Sequence, residues 1–294
     1  MNAPVTISIA SGKGGTGKTT LATNLALVLA NRGEPVTYID CDVEEPDGHI
    51  FLQPDIDRRI PVNVMIPQVD LTKCTFCGKC SGICEYNALA VLNDKVMVFP
   101  SLCHSCGGCV QICPEQAIEE IPRTIGSVNS GTGRGVTFFE GRLDIGEALA
   151  PPITRQLRKN NSGNGITIID APPGTSCPVI EAVKETDFLI LVTEPTPFGL
   201  NDLKLAVEMS RALGLPIGVV VNRSDAGDER VENYCRDEHI DILLRIPFDR
   251  RFARAYSDGR IFLAEYPEYD KKLFALFQDI TKRINRDGTG HTQR

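Results

Sequence analysis

The chain has 294 residues, 42% of them apolar and 23% charged, a balance that fits a folded protein and excludes wholesale disorder. Thirty-eight acids against 31 bases give a net charge of -7, which argues against a general nucleic-acid surface. The longest apolar runs, such as Phe188-Leu189-Ile190-Leu191-Val192, are strand-sized and far short of the ~20 residues of a membrane span. Met1-Asn2-Ala3-Pro4-Val5 leads into a β-like run with no basic region or cleavage site, so a cytoplasmic protein is expected.

Val5 to Ala10 reads as a first strand, Ser11 to Lys18 as a glycine-rich loop, and Thr19 to Asn31 as a helix carrying Leu21, Leu25 and Leu29. Gly33 stops that helix, and Val36 to Asp40 forms a second strand. From Pro61 to Ile121 the pattern changes to short strands and cysteine clusters. Gly126 to Gly141 is glycine-rich, with Val136-Thr137-Phe138-Phe139 as part of a hairpin that returns the chain to the main sheet. Ile166 to Asp170, Phe188 to Thr193, Ile217 to Asn222 and Ile242 to Ile246 read as further strands. Helices are expected after Pro178, Leu200 and Asp228, and Tyr269 to Arg286 closes the chain. Near-continuous apolar strands separated by helices predict a doubly wound, mostly parallel α/β sheet covered on both faces. The expected division is a discontinuous domain of residues 1–60 and 122–286, an insert at 61–121, and a flexible polar tail at 287–294. Without the insert about 230 residues remain, a comfortable size for one domain.

Gly12-Lys13-Gly14-Gly15-Thr16-Gly17-Lys18-Thr19 satisfies G-x-x-x-x-G-K-[ST] between a strand and a helix, the pattern of a phosphate-binding loop. Backbone N–H groups of such a loop curl around a phosphate at a helix N-terminus. Gly12 through Thr20 are therefore candidate ATP contacts, with Lys18 reaching the β- and γ-phosphates and the Thr19 hydroxyl ligating Mg²⁺. Asp40-Cys41-Asp42 and Asp170-Ala171-Pro172-Pro173-Gly174 end strands beside that loop, where an open α/β sheet binds its ligands.

The second lysine, Lys13, resembles the deviant Walker A of the MinD/ParA/nitrogenase-iron-protein class of ATPases. The resemblance implies an ATP-sandwich dimer in which Lys13 reaches the partner's nucleotide. It makes Asp42 the residue orienting the attacking water, Asp170 a water-mediated Mg²⁺ ligand, and the Gly174 amide a γ-phosphate sensor. Asn222-Arg223 and Pro247-Phe248-Asp249, each after a strand, resemble the adenine-contacting segments of that class, and Asn222 has the paired donor and acceptor an adenine edge requires. A capping or turn role is the other reading of Asn222 and Pro247.

Eight of the eleven cysteines fall between Cys74 and Cys113. Cys74-x₂-Cys77-x₂-Cys80-x₃-Cys84 is repeated 29 residues later as Cys103-x₂-Cys106-x₂-Cys109-x₃-Cys113-Pro114. This is the bacterial two-cluster ferredoxin spacing, in which each fourth cysteine ligates the other cluster. One [4Fe-4S] cluster should use Cys74, Cys77, Cys80 and Cys113, and the other Cys84, Cys103, Cys106 and Cys109. Structural zinc is the competing reading, although eight interlocked cysteines make an odd zinc site. Glu85 stands where the pattern usually has proline, so the first run is expected to be looser.

Cys177 lies seven residues after Asp170, an offset like that of a cluster cysteine in the nitrogenase iron protein. Two copies meeting at a dimer axis would give a labile metal site; the bland reading is a small residue at a helix N-terminus. Cys41 and Cys235 read as packing residues, and the four histidines are scattered.

Together the motifs resemble MinD-superfamily P-loop ATPases with an inserted α+β bacterial ferredoxin-like domain, related to the Mrp carrier group. ATP, Mg²⁺ and two [4Fe-4S] clusters are the implied cofactors. The implied partners are a second ATPase subunit, identical or related, and a redox partner protein or a cofactor-accepting client, with neither nucleic acid nor membrane. Electron delivery coupled to ATP hydrolysis is the leading expectation. An assembly or carrier ATPase and a redox-sensing regulatory ATPase are the alternatives.

Overall fold

The computed structural model describes residues 4–159, 165–264 and 266–288, and the expected polar tail lies outside them from residue 289 onward. The first half contains β1 (Val5–Ser11), α1 (Lys18–Ala30), β2 (Val36–Asp40), α2 (Gly48–Leu52), β3 (Asp55–Val69), α3 (Lys79–Ile83), β4 (Leu89–Leu92), β5 (Lys95–Val98), α4 (Gly108–Ile112), β6 (Ile118–Gly133) and β7 (Val136–Leu143). The second half contains α5 (Pro151–Lys159), β8 (Ile166–Pro173), α6 (Cys177–Val183), β9 (Phe188–Thr193), α7 (Pro197–Ala212), β10 (Ile217–Asn222), α8 (Arg230–Asp237), β11 (Ile242–Ile246), α9 (Arg250–Ser257) and α10 (Glu268–Gly288).

Nine strands form one sheet in the order β11-β10-β9-β1-β8-β2-β7-β6-β3, and β4 pairs with β5 separately. Every pairing from β11 to β7 is parallel, whereas β6 runs against both β7 and β3. The fold is thus a mostly parallel, mixed-sheet P-loop NTPase fold. Its central strands are buried on both faces, which is why Phe188-Leu189-Ile190-Leu191-Val192 is apolar without alternation.

Two cores cover the sheet. On one face Ile7, Ile9, Tyr38 and Ile168 pack with Leu21 and Leu25 of α1 and Leu273 of α10. On the other, Ile39, Ile169 and Leu191 pack with Leu157 of α5, Val179 of α6 and Leu203 of α7. Cys41 and Cys235 sit in the second core as expected, and burial pushes both thiols up, that of Cys235 to about 11.

The expected boundaries at 61 and 121 fall inside two long strands. β3 and β6 pair from Asp55↔Thr132 to Val69↔Ile118, while β7 reaches only to Gly126. Residues 118–125 therefore pair with β3 alone and extend past the end of β7, a span of about 25 Å at ~3.3 Å per residue. The overhang leaves the sheet at the edge where the parallel strands end. At its tip, residues 70–117 carry α3, α4 and the β4-β5 hairpin around a small core of Cys80, Leu89, Cys109 and Ile118.

Candidate functional site

The parallel strands deliver their C-terminal residues to one edge, and the glycine-rich loop wraps there between β1 and α1. Gly17 precedes α1 at φ +95, and a Cβ on it would lie 2.7 Å from Asn222 Nδ2, so only glycine fits. The start of α1 has no side-chain cap and no acid in its first turn. Its free N–H groups and positive dipole end are open to an anion.

Lys18 Nζ lies 3.6 Å from Asp170 Oδ1, and both side chains are almost fully buried. Burial works against the lysine charge, but Asp170, Asp42 and Asp40 outweigh it and hold its pKa above the ordinary value. Asp40 and Asp170 face each other in register on β2 and β8. Burial and the Asp170 charge raise the Asp40 pKa well above normal, although the Gly48 and Asp42 amides donate to its carboxylate at 2.9 and 3.1 Å. Asp42 is pushed to about 6, mainly by burial, with Lys18 pulling down and Asp170 pushing up.

The remaining contacts fall unevenly. Gly14 to Thr20, Asp42, Asn222 and Pro247 line one cleft, so these expected site residues come together. Asn222 Nδ2 donates to the Thr16 carbonyl at 2.8 Å and its Oδ1 accepts from the Arg223 amide at 2.9 Å. One end of that amide thus holds the loop and the other its own following turn, in keeping with the capping reading. The Gly174 N–H donates to the Ser11 carbonyl at 2.9 Å. Lys13 Nζ sits 3.3 Å from Glu194 Oε2, within its own chain, and Arg223 pairs with the other oxygen at 2.9 Å.

Three features were not read from the sequence. Glu194 anchors Lys13 from the end of β9. The Tyr38 hydroxyl donates to Asp170 Oδ2 at 3.0 Å. Helix α9 walls the cleft with Phe252 and Tyr256, and the Tyr256 hydroxyl donates to Asp47 at 3.1 Å. The i, i+4 aromatic pair in Arg250-Arg251-Phe252-Ala253-Arg254-Ala255-Tyr256 was the available signal for α9; Glu194 and Tyr38 gave none, because their partners are distant in sequence.

A divalent cation fits this edge. Asp170 Oδ1 is fully buried and accepts no hydrogen bond, Lys18 Nζ lies 3.6 Å from it, and Thr19, the next residue of the loop, lines the cleft. Asp170 and Thr19 are the oxygen donors Mg²⁺ chemistry calls for.

The cysteines at the tip of the ribbon surround two separate cavities. One is lined by Cys74, Cys77, Cys80 and Cys113, the other by Cys84, Cys103, Cys106 and Cys109. The 29-residue repeat is also structural. The amides of Phe76 and Ala88 donate to Cys74 and Cys84 sulfurs at 3.4 and 3.3 Å, and those of Ser105 and Ala117 to Cys103 and Cys113 at 3.5 and 3.3 Å. Phe76 and Ser105 share φ values of 55 and 58, and Asn87 and Gln116 of 53 and 49. These left-handed residues turn the chain around each cavity. Among the described residues no three Cys, His, Asp or Glu side chains converge to hold a single ion. The sulfurs stand around cavities instead, with N–H groups aimed at them, an arrangement that fits polynuclear clusters. Glu85 does not loosen the first run: its terminal cysteine receives the same amide bond as that of the second.

Cys177 is the first residue of α6 and is exposed, so it is not packed in either core. Among the described residues no helix is long and apolar enough to cross a membrane.

Comparison with known proteins agrees with this geometry. A family model described as the CobQ/CobB/MinD/ParA nucleotide binding domain matches residues 7–262. An uncharacterized protein of Methanocaldococcus jannaschii is 32% identical over 283 residues, covering 95% of this chain and 97% of its own. A protein of Aquifex aeolicus named an iron-sulfur cluster carrier is 25% identical over 304 residues, covering 95% of this chain and 67% of its own. The septum site-determining protein MinD of Pyrococcus horikoshii, solved with Mg-ADP, superposes with a TM-score of 0.59 at 21% identity over 94% of this chain and 96% of that one.

Proposed function

The chain belongs to the CobQ/CobB/MinD/ParA nucleotide-binding domain family, and from that premise we propose that it is a Mg²⁺-dependent ATPase whose nucleotide edge is coupled to two [4Fe-4S] clusters that pass electrons to a partner protein. The observation that carries the proposal is the β3-β6 ribbon, which roots two four-cysteine cavities in the sheet edge that holds the phosphate loop. The inserted segment is then a ferredoxin-like module, with Cys74, Cys77, Cys80 and Cys113 around one cluster and Cys84, Cys103, Cys106 and Cys109 around the other.

In the ATPase step the α1 N-terminus and the loop amides bind the phosphates. Lys18 neutralises charge at the β- and γ-oxygens, and Asp170 and Thr19 hold the cation. Bound Mg²⁺ supplies charge neutralisation on the phosphates. Asp42, ionised above about pH 6, orients the attacking water. The Gly174 amide, now on the Ser11 carbonyl, turns to the γ-phosphate when ATP binds. Lys13 leaves Glu194 to reach the nucleotide of a second subunit, so ATP drives dimerisation.

Asp40 links this chemistry to the ribbon, because it accepts from Gly48 at the start of α2, the short helix that leads into β3. A cluster carrier is the second reading. It is favoured by relatives named iron-sulfur cluster carriers and by the exposed Cys177. Iron and sulfide analysis of anaerobically purified protein tests the proposal. Two cubanes give about eight irons per chain, and Cys77→Ser should lower that count while Cys177→Ser leaves it unchanged. Stoichiometric zinc without sulfide would refute the cluster assignment.

A further inference from the structure

Tyr38 is the largest fully buried polar residue in the sheet, and nothing in the reaction outlined above uses it. Its ring stacks on Phe138 of β7 at 5.7 Å with an 11° interplanar angle. Its hydroxyl reaches across from β2 to donate to Asp170 Oδ2 at 3.0 Å. The other carboxylate oxygen, Oδ1, is left without a hydrogen bond, facing Lys18. The phenol tip also lies under the first residue of α2. A Cβ on Gly48 would stand 2.5 Å from the Tyr38 ring and 2.6 Å from its hydroxyl, so that position must be glycine for the phenol to reach Asp170.

We propose that Tyr38 is the positioning residue for the divalent cation: its hydroxyl fixes one oxygen of Asp170 so that the other, beside Lys18 and without a hydrogen bond, is presented to the water shell of Mg²⁺. A leucine at this point in the strand would fill the same core but leave Oδ2 without its donor and the carboxylate free to rotate away from this orientation. The inference rests on the assignment of Asp170 to the cation and adds the residue that orients it.

The experiment compares wild type with Tyr38→Phe, which retains the ring and its stacking. Two quantities are read: the half-saturating Mg²⁺ concentration for ATP hydrolysis, and Mn²⁺ binding to the ADP-loaded protein by EPR titration. Tyr38→Phe should raise both half-saturation values about tenfold, the lower end of the effect of removing an outer partner of a metal ligand. At saturating Mg²⁺ its kcat should stay within about twofold of wild type. Added to Asp170→Asn, the substitution should cause no further weakening of Mn²⁺. An unchanged metal dependence, or a fall in kcat at every Mg²⁺ concentration, overturns the proposal while leaving the ATPase assignment intact. If Asp170→Asn itself leaves Mn²⁺ binding unaltered, the cation assignment beneath it is the part that fails.

Discussion

Lys18→Met removes a cation that faces three buried or half-buried carboxylates, Asp170, Asp42 and Asp40. Its Nζ lies 3.6 Å from Asp170 Oδ1, which at an effective dielectric of 20 corresponds to about 4–5 kcal/mol of attraction. Part of that offsets the cost of burying the lysine itself. Removing one partner of a buried pair typically costs ~3–5 kcal/mol because the other charge is stranded. Asp40, whose pKa burial and the Asp170 charge already hold well above normal, limits the damage by keeping a proton, so the lower end, about 3 kcal/mol, applies. At roughly 2–4 °C per kcal/mol for a domain of this size, the thermal midpoint without nucleotide should fall by about 6–12 °C. ATP hydrolysis should be lost while iron content and cluster absorbance remain. The assay is differential scanning calorimetry of wild type, Lys18→Met, Asp170→Asn and the double variant, all nucleotide-free. The double variant should lie closer to wild type than Lys18→Met does, since no stranded carboxylate is left at position 170. A Lys18→Met midpoint within about 2 °C of wild type would refute the reasoning.

ATP hydrolysis should lose half its rate near pH 6 on the acid side, where Asp42 takes up a proton; an acid limb centred near pH 4 would exclude Asp42 from the water-orienting role. The same shift has a stability consequence. The folded state holds a proton that the unfolded state releases between 3.8 and about 6, so stability falls as pH rises through that window, and Asp42→Asn should flatten the slope of thermal midpoint against pH. Lys13→Ala should abolish the shift to a dimer seen by sedimentation with a non-hydrolysable ATP analogue; an unchanged profile would confine Lys13 to its contact with Glu194.

At four strands bounded by breakers sequence and structure agree to the residue, whereas β8 runs on from its expected end at Asp170 to Pro173. Val36–Asp40, Phe188–Thr193, Ile217–Asn222 and Ile242–Ile246 were all read with their observed ends. The length of the β3-β6 ribbon was hidden by its prolines. Pro61 and Pro67 lie on β3, whose outer edge is the edge of the sheet. Pro122 lies on the part of β6 that β7 does not reach. A missing N–H is tolerated in both places, although in a sequence each proline reads as a stop. Helix α5 begins with Pro151-Pro152 and is short, and α9 is rich in arginine; both show apolar faces only once Ile153 and Leu157, or Phe252 and Tyr256, are set against a core or cleft.

The site divides in the same way. The phosphate loop and the two cysteine runs are local patterns, and their spacing alone identified the side chains that the fold gathers. Tyr38 and Glu194 depend on pairings across 132 and 181 residues of sequence. No local pattern carries such a pairing.

The central claim is that nucleotide state and the cysteine-lined cavities are coupled through the shared sheet edge. EPR of anaerobically purified, dithionite-reduced protein, recorded with and without MgATP, tests it most directly. The account predicts signals from two interacting reduced [4Fe-4S] clusters whose line shape or midpoint potential changes when MgATP is added. Two cubane signals identical in both states would contradict the coupling, and the absence of cubane signals would contradict the cluster assignment itself.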